Sequence, residues 1–253
     1  MAKAVFLDLS GVVYLGDEMV PGAIEAIRRL KAAGLPVRYV SNTTQISTQQ
    51  VQDKLSTMGL NVKGEELFLP SHAARQYLQD HNLKPYLLTS DDLAVEFADL
   101  DGSEGQAVVV ADAAEKFSYN ALNKAFRLLM EGAPLLALAR NRYYRNQDGE
   151  LCMDAGPFVT ALEHACGLDA LVFGKPSPDF FLSAAGSVHC EVTDIVMVGD
   201  DAEADVAGAM ALGMDGVLVR TGKYRRGAEA GVTPPPTAVV ADVVEAVDWI
   251  LKH

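Results

Sequence analysis

Short apolar runs alternate along the chain with segments in which apolar residues recur every three or four positions. AVFLDL, residues 4–9, is apolar throughout except at Asp8 and has the length of a strand. GAIEAIRRLKAA follows, with Pro21 at its start and Gly34 just past its end, the order that helices prefer. Residues 37–40 predict a second strand, and STQQVQDKLSTMG from Ser47 predicts a capped amphipathic helix closed by Gly59. Later come a strand in DIVMVGD (194–200), an alanine-rich helix in AEADVAGAMALG (202–213), a strand in GVLVR (216–220) and a helix around 242–252. Runs buried on both faces and alternating with helices predict an α/β fold with a doubly wound, Rossmann-like parallel sheet. Ligands of such sheets sit at the carboxyl ends of the strands.

The middle of the chain repeats this alternation on its own. PYLLTS (85–90), AVVVAD (107–112) and PLLALARN (134–141) read as strands, with a helix from Ser118 between the last two. YYRNQDGEL reads as a hairpin turned at Asp148-Gly149. Residues 83–169 are therefore expected to form an inserted second domain, and residues 1–82 with 170–253 the core domain.

Composition narrows the function classes. A chain of 253 residues with a formal charge of −13 repels nucleic acid and anionic lipid, so neither is an expected partner. An anionic substrate would need local cations to draw it in against that field. Cys152, Cys166 and Cys190 are widely spaced, with no CxxC, and predict reduced, buried thiols rather than a disulfide framework or a zinc knuckle. The apolar run at the N-terminus is too short for a signal peptide, and no run approaches the ~20 residues of a membrane helix. The expected location is the cytoplasm.

Four polar sets fall at predicted strand ends: Asp8; Ser41 and Asn42 in VSNTT; Lys175 in VFGKPSPDFF; and Asp200, Asp201 and Asp205 in VMVGDDAEAD. Each alone suits a cap or a turn. Caps do not call for strand ends four times over with complementary charges. Phosphoryl transfer to a carboxylate does. Asp8 and Asp200 can hold Mg²⁺, a hard cation that takes oxygen ligands, while Lys175 and the Ser41 hydroxyl neutralise the equatorial phosphoryl oxygens. Asp8 can then attack phosphorus, forming an aspartyl-phosphate that water must remove.

These four motifs resemble the haloacid dehalogenase superfamily of phosphatases, and the inserted domain resembles the large α/β cap of its class IIA members. DLSGVVY, VSNTT, ARNRYYRNQDG, GPFVTALE, VFGKPSP, MVGDD and RTGKYR further resemble the branch of phospholysine phosphohistidine inorganic pyrophosphate phosphatases. The resemblance implies Asp8 as nucleophile and Mg²⁺ ligand, with the Ser10 carbonyl and Asp200 completing the protein's share of the metal shell. It implies Ser41, Asn42 and Thr43 as phosphate contacts and Lys175 as the cation that screens nucleophile and phosphoryl group. Asp205 would ligate the metal or orient its water, and Asp201 either. Asn141, Arg142, Tyr143 and Tyr144 fall where such relatives contact substrate, although a packed hairpin start explains them equally well. A homodimer through the cap is compatible with the same resemblance.

Ser10 departs from the superfamily at large, which usually carries an aspartate there as general acid and base. A serine hydroxyl cannot supply a proton near neutral pH, and general acid help is worth about 10²- to 10⁴-fold. Its loss matters least when the leaving group departs readily, as from phosphorus–nitrogen bonds or pyrophosphate. The expected substrate is therefore a small labile phosphate. Two rivals stand: an ordinary phosphomonoesterase for a small metabolite, and a Mg²⁺- and phosphate-binding module with little turnover.

Overall fold

The computed structural model of the chain describes residues 2–145 and 150–253. Contacts divide it into two units, Met1–Ser41 with Val51–Phe68 and Lys175–His253, and Asn42–Gln50 with Leu69–Gly174. Among the described residues, no helix is long and apolar enough to cross a membrane.

The first unit is built on a six-stranded sheet in the order Ala238–Val240, Asp215–Val219, Ile195–Gly199, Ala4–Asp8, Val37–Val40, Leu67–Phe68. All neighbours pair parallel. Ala4–Asp8 is buried at every position, which is why its sequence is a continuous apolar run rather than an alternating one. Strands added after Ala4–Asp8 go to one side of it and those from Ile195–Gly199 onward to the other. The order therefore reverses between these two strands, and a crevice opens at their carboxyl ends. Helix Ala23–Ala32 turns Ala23, Ala26, Ile27 and Leu30 inward, at the spacing of one helical face, and helix Val243–Ile250 begins at Asp242, whose carboxylate accepts the Val244 and Glu245 N–H groups.

The alanine-rich segment after Gly199 differs from the expected regular helix. Ala202–Ala207 forms a wide π-helical turn, with Val206 N–H donating to the Asp201 carbonyl, and only Gly208–Met210 continues as α-helix. The carboxylate of Asp205 explains the widening, because it folds back to accept the Asp201 N–H at 3.1 Å.

The second unit carries a four-stranded parallel sheet ordered Leu171–Val172, Leu135–Ala137, Gln106–Val110, Lys84–Leu88. The short strand before Lys175 is thus the edge of this sheet. Ser118 caps helix Tyr119–Met130 by accepting the Ala121 N–H, and Asp154 caps helix Ala155–Cys166. The two helices bury Ala125, Leu129, Val159 and Leu162 against Leu88, Val108, Val110 and Leu135. Each buried leucine or valine contributes about 1.5–3 kcal/mol. Tyr143–Arg145 and Leu151–Met153 pair antiparallel as the expected ribbon; its turn at Asp148-Gly149 lies outside the described residues. The three cysteines are free, as expected, but half-buried rather than buried.

Candidate active site

Register places the polar residues of the first unit at the reversal point. Leu7 pairs with Val198 and Asp8 with Val40, so the chain leaves the sheet side by side at Asp8, Ser41 and Asp200. Three carboxylates gather there. Asp8, Asp200 and Asp205 are 6%, 2% and 2% exposed, and each offers an oxygen within 4.8 Å of the others. Lys175, itself buried, donates through Nζ to Asp8 Oδ1 at 2.5 Å, to Asp205 Oδ1 at 2.6 Å and to the Val40 carbonyl at 3.2 Å.

The electrostatics follow from that crowding. Burial pushes the Asp8 carboxyl up to about 7, with Asp205 and Asp200 adding repulsion against the opposing pull of Lys175. Asp200 is raised to about 6, again mainly by burial, which the Lys223 N–H bond only partly offsets. For Lys175 burial acts downward, but the charges and hydrogen bonds of Asp205 and Asp8 outweigh it and raise the ammonium above its ordinary value. Ionised together, the three carboxylates would outnumber the one ammonium by two charges in a buried space. A divalent cation with a preference for oxygen fits that deficit and that donor set. The group can therefore hold a metal ion.

Two glycine loops wall in Asp200. At Gly11 (φ +99°) and Gly222 (φ +58°) an added Cβ would run into the Asp200 carboxylate, so only glycine permits the approach. The Lys223 N–H donates to Asp200 Oδ2 at 2.5 Å, and the Thr221 hydroxyl donates to the Gly11 carbonyl. These residues were not among the expected site residues. Glycine after Ser10 and within RTGKYR was the available signal, but a glycine that admits a distant carboxylate looks in sequence like any turn glycine.

The remaining expected residues fall as follows. Ser41 is buried, its N–H bonded to the Phe68 carbonyl at 3.2 Å. Ser10 is exposed next to Asp8 and bridges to Tyr14. Asp201 accepts the Glu203 and Ala204 N–H groups and so opens the wide turn. Asn42 and Thr43 are half-buried and belong to the second unit, as do Asn141, Arg142 and Tyr143, which are exposed.

The core sheet reverses at a buried carboxylate–lysine cluster, the place where α/β folds bind ligands, and sequence comparison gives the family. Residues 5–103 match the haloacid dehalogenase-like hydrolase family and residues 172–246 a related hydrolase family. The chain is 44% identical over 251 residues to human haloacid dehalogenase-like hydrolase domain-containing protein 2, covering 99% of this chain and 96% of that protein. It is 43% identical over 257 residues to the phospholysine phosphohistidine inorganic pyrophosphate phosphatase of Danio rerio, covering 99% and 95%. The p-nitrophenyl phosphatase of Archaeoglobus fulgidus superposes with a TM-score of 0.88 at 25% identity, covering 98% of this chain and 99% of that one. The chain belongs to the haloacid dehalogenase-like hydrolases and is a phosphohydrolase of that family.

Proposed function

We propose that this phosphohydrolase is Mg²⁺-dependent, acts through an aspartyl-phosphate on Asp8, and prefers labile phosphates of the phosphoramidate or pyrophosphate kind. The carrying observation is the Asp8–Lys175–Asp205 contact beside Asp200, in which one ammonium faces three buried carboxylates. Asp8, Asp200 and Asp205, with the Ser10 carbonyl, would hold the ion. Bound there, Mg²⁺ supplies the positive charge that lets an anionic phosphate approach an anionic nucleophile.

Lys175 pulls Asp8 toward its ionised form against the effect of burial and offers its charge to the phosphoryl oxygens. An Asp8 oxygen forms the new bond to phosphorus as the bond to the leaving nitrogen or oxygen breaks. Water then attacks the same phosphorus, which returns Asp8 to the carboxylate and releases inorganic phosphate. Ser41, Asn42 and Thr43 bind the phosphoryl oxygens during both steps, and Asn141, Arg142 and Tyr143 contact the leaving group. The inserted segment 83–169 serves as the cap that excludes bulk water. The free thiols suit a reducing cytoplasm.

The labile-substrate preference is supported by Ser10 and by the name of the Danio rerio relative, a phospholysine phosphohistidine inorganic pyrophosphate phosphatase. The p-nitrophenyl phosphatase neighbour favours a second reading, a phosphomonoesterase. A phosphate-release assay with Mg²⁺ across P–N, P–O–P and P–O–C compounds separates the two. Labile compounds should turn over fastest, and Asp8→Asn should abolish release without unfolding the chain. Full activity in excess chelator would remove the metal from the mechanism, and a preference for alkyl phosphates would establish the second reading.

A further inference from the structure

Asp112 is a buried carboxylate that the proposed chemistry does not use. It lies just past strand Gln106–Val110 in the second unit and is 6% exposed. Its two oxygens accept different donors: Oδ1 takes the Ala114 N–H at 3.1 Å and Oδ2 takes Gln45 Nε2 at 2.5 Å. Its carbonyl accepts the Ser90 N–H at 3.0 Å, and the Ser90 hydroxyl donates to the Gln45 carbonyl at 2.6 Å. Gln45 is thus gripped through both side chain and backbone. The same loop is held again at Thr48, whose N–H donates to Glu96 Oε1 at 2.6 Å and whose hydroxyl lies 2.8 Å from His72 Nε2. At its other end Asn42 presses on Gly174, where an added Cβ would come within 3.0 Å of Asn42 Oδ1 and 2.6 Å of the Leu138 carbonyl.

The held segment is Asn42–Gln50, and it starts one peptide bond after Ser41. Ser41 is fixed to the core sheet through Phe68, whereas Asn42 and Thr43 open a loop whose Gln45 and Thr48 bind Ser90, Asp112, Glu96 and His72 of the second unit. We propose that Asp112 and Gln45 form a positioning clamp, which sets Asn42 and Thr43 for phosphate. The clamp rests on the reading of Asn42 and Thr43 as phosphate contacts. A carboxylate suits the task because a part-buried, charge-assisted bond to an amide holds the loop more firmly than a neutral pair. Displacing a binding group by about 1 Å costs up to ~10²-fold.

The pair allows a charge-swap test. Gln45→Glu sets two carboxylates against each other and should open the clamp. Asp112→Asn in the same chain restores a donor opposite an acceptor. Inhibition of p-nitrophenyl phosphate hydrolysis by inorganic phosphate is the readout, with Mg²⁺ affinity and Tm measured beside it. Gln45→Glu should weaken phosphate inhibition about tenfold, and the double variant should recover most of it. Mg²⁺ affinity should stay constant, because the candidate ligands Asp8, Asp200 and Asp205 lie in the first unit. A fall in Tm alone, with phosphate inhibition unchanged, would reduce the clamp to a structural contact and overturn the proposal. Should Gln45→Glu prove unfolded, Gln45→Ala provides the same comparison without repulsion. Asn42→Ala separates the two levels. If it leaves phosphate inhibition unchanged, the phosphate reading of Asn42 fails. If it weakens inhibition while the clamp variants do not, the clamp alone fails.

Discussion

Ser10 is exposed two residues after Asp8, the proposed nucleophile, and on that reading stands where an acid would protonate a departing alkoxide. On the proposed mechanism, a serine there makes the rate depend on how readily the leaving group departs. Ser10→Asp should therefore raise hydrolysis of alkyl phosphates by up to ~10²-fold, the lower range of acid catalysis, and should raise P–N hydrolysis much less. The new carboxylate adds negative charge beside a cluster that already carries an excess, so kcat and KM must be determined separately. Alkyl phosphates hydrolysed by the wild type as fast as phosphoramidates, with no gain in the variant, would show that another group delivers the proton. In sequence, the substitution at position 10 was fully visible; its exposure beside a buried Asp8 was not, because burial depends on what else packs at the strand end.

At the scale of the element, the site depends on loops that let backbone approach a carboxylate. The turn Thr221–Lys223 does so through Gly222, in the left-handed region with Asp200 where a Cβ would be. Gly222→Ala should displace Asp200, lower Mg²⁺ affinity by about tenfold or more, and cost about 1–3 kcal/mol of stability. Gly227→Ala makes the control: its φ of +89° is equally left-handed, but nothing lies within 4 Å of the added Cβ. It should lower Tm while leaving Mg²⁺ affinity as it was. Equal affinities for both variants, measured by calorimetric titration, would detach the Gly222 loop from the metal site.

For the molecule as a whole, the buried acidic cluster ties stability to pH and, on the proposed reading, to metal. Asp8 and Asp200 bind protons more tightly in the folded chain than in the unfolded one, since burial raises them to about 7 and about 6. In the metal-free chain their contribution is most favourable at low pH and is lost as pH rises from about 4 through about 7. Binding of a cation by the ionised carboxylates offsets that loss, so stabilisation by Mg²⁺ should grow over the same window. Thermal unfolding in chelator and in excess Mg²⁺ at pH 5.5 and pH 8 tests this. The increment in Tm should be clearly larger at pH 8, and Asp8→Asn should flatten the pH dependence of the metal-free chain. An increment independent of pH would mean that the cluster is not where the ion binds.

The alternation of strands and helices, the parallel sheet and the carboxylate at the end of the first strand were all determined by the sequence alone. Continuous apolar runs and capped, periodic helices are local properties, carried by residues within a few positions of one another. Only the tertiary structure decided how the ends of those elements meet. Lys175 reaches Asp8 across 167 positions, and Thr221 reaches Gly11 across 210. Such contacts depend on sheet order and chain reversal, which no local pattern encodes. The wide turn at Ala202–Ala207 was hidden for the same reason: an alanine-rich segment favours a regular helix until the Asp205 carboxylate has Lys175 and the Asp201 N–H to bind. The grouping of Asn42–Gln50 with the second unit was likewise beyond the sequence, because Gln45 finds Asp112 67 positions away, while its own neighbours read only as the approach to a helix.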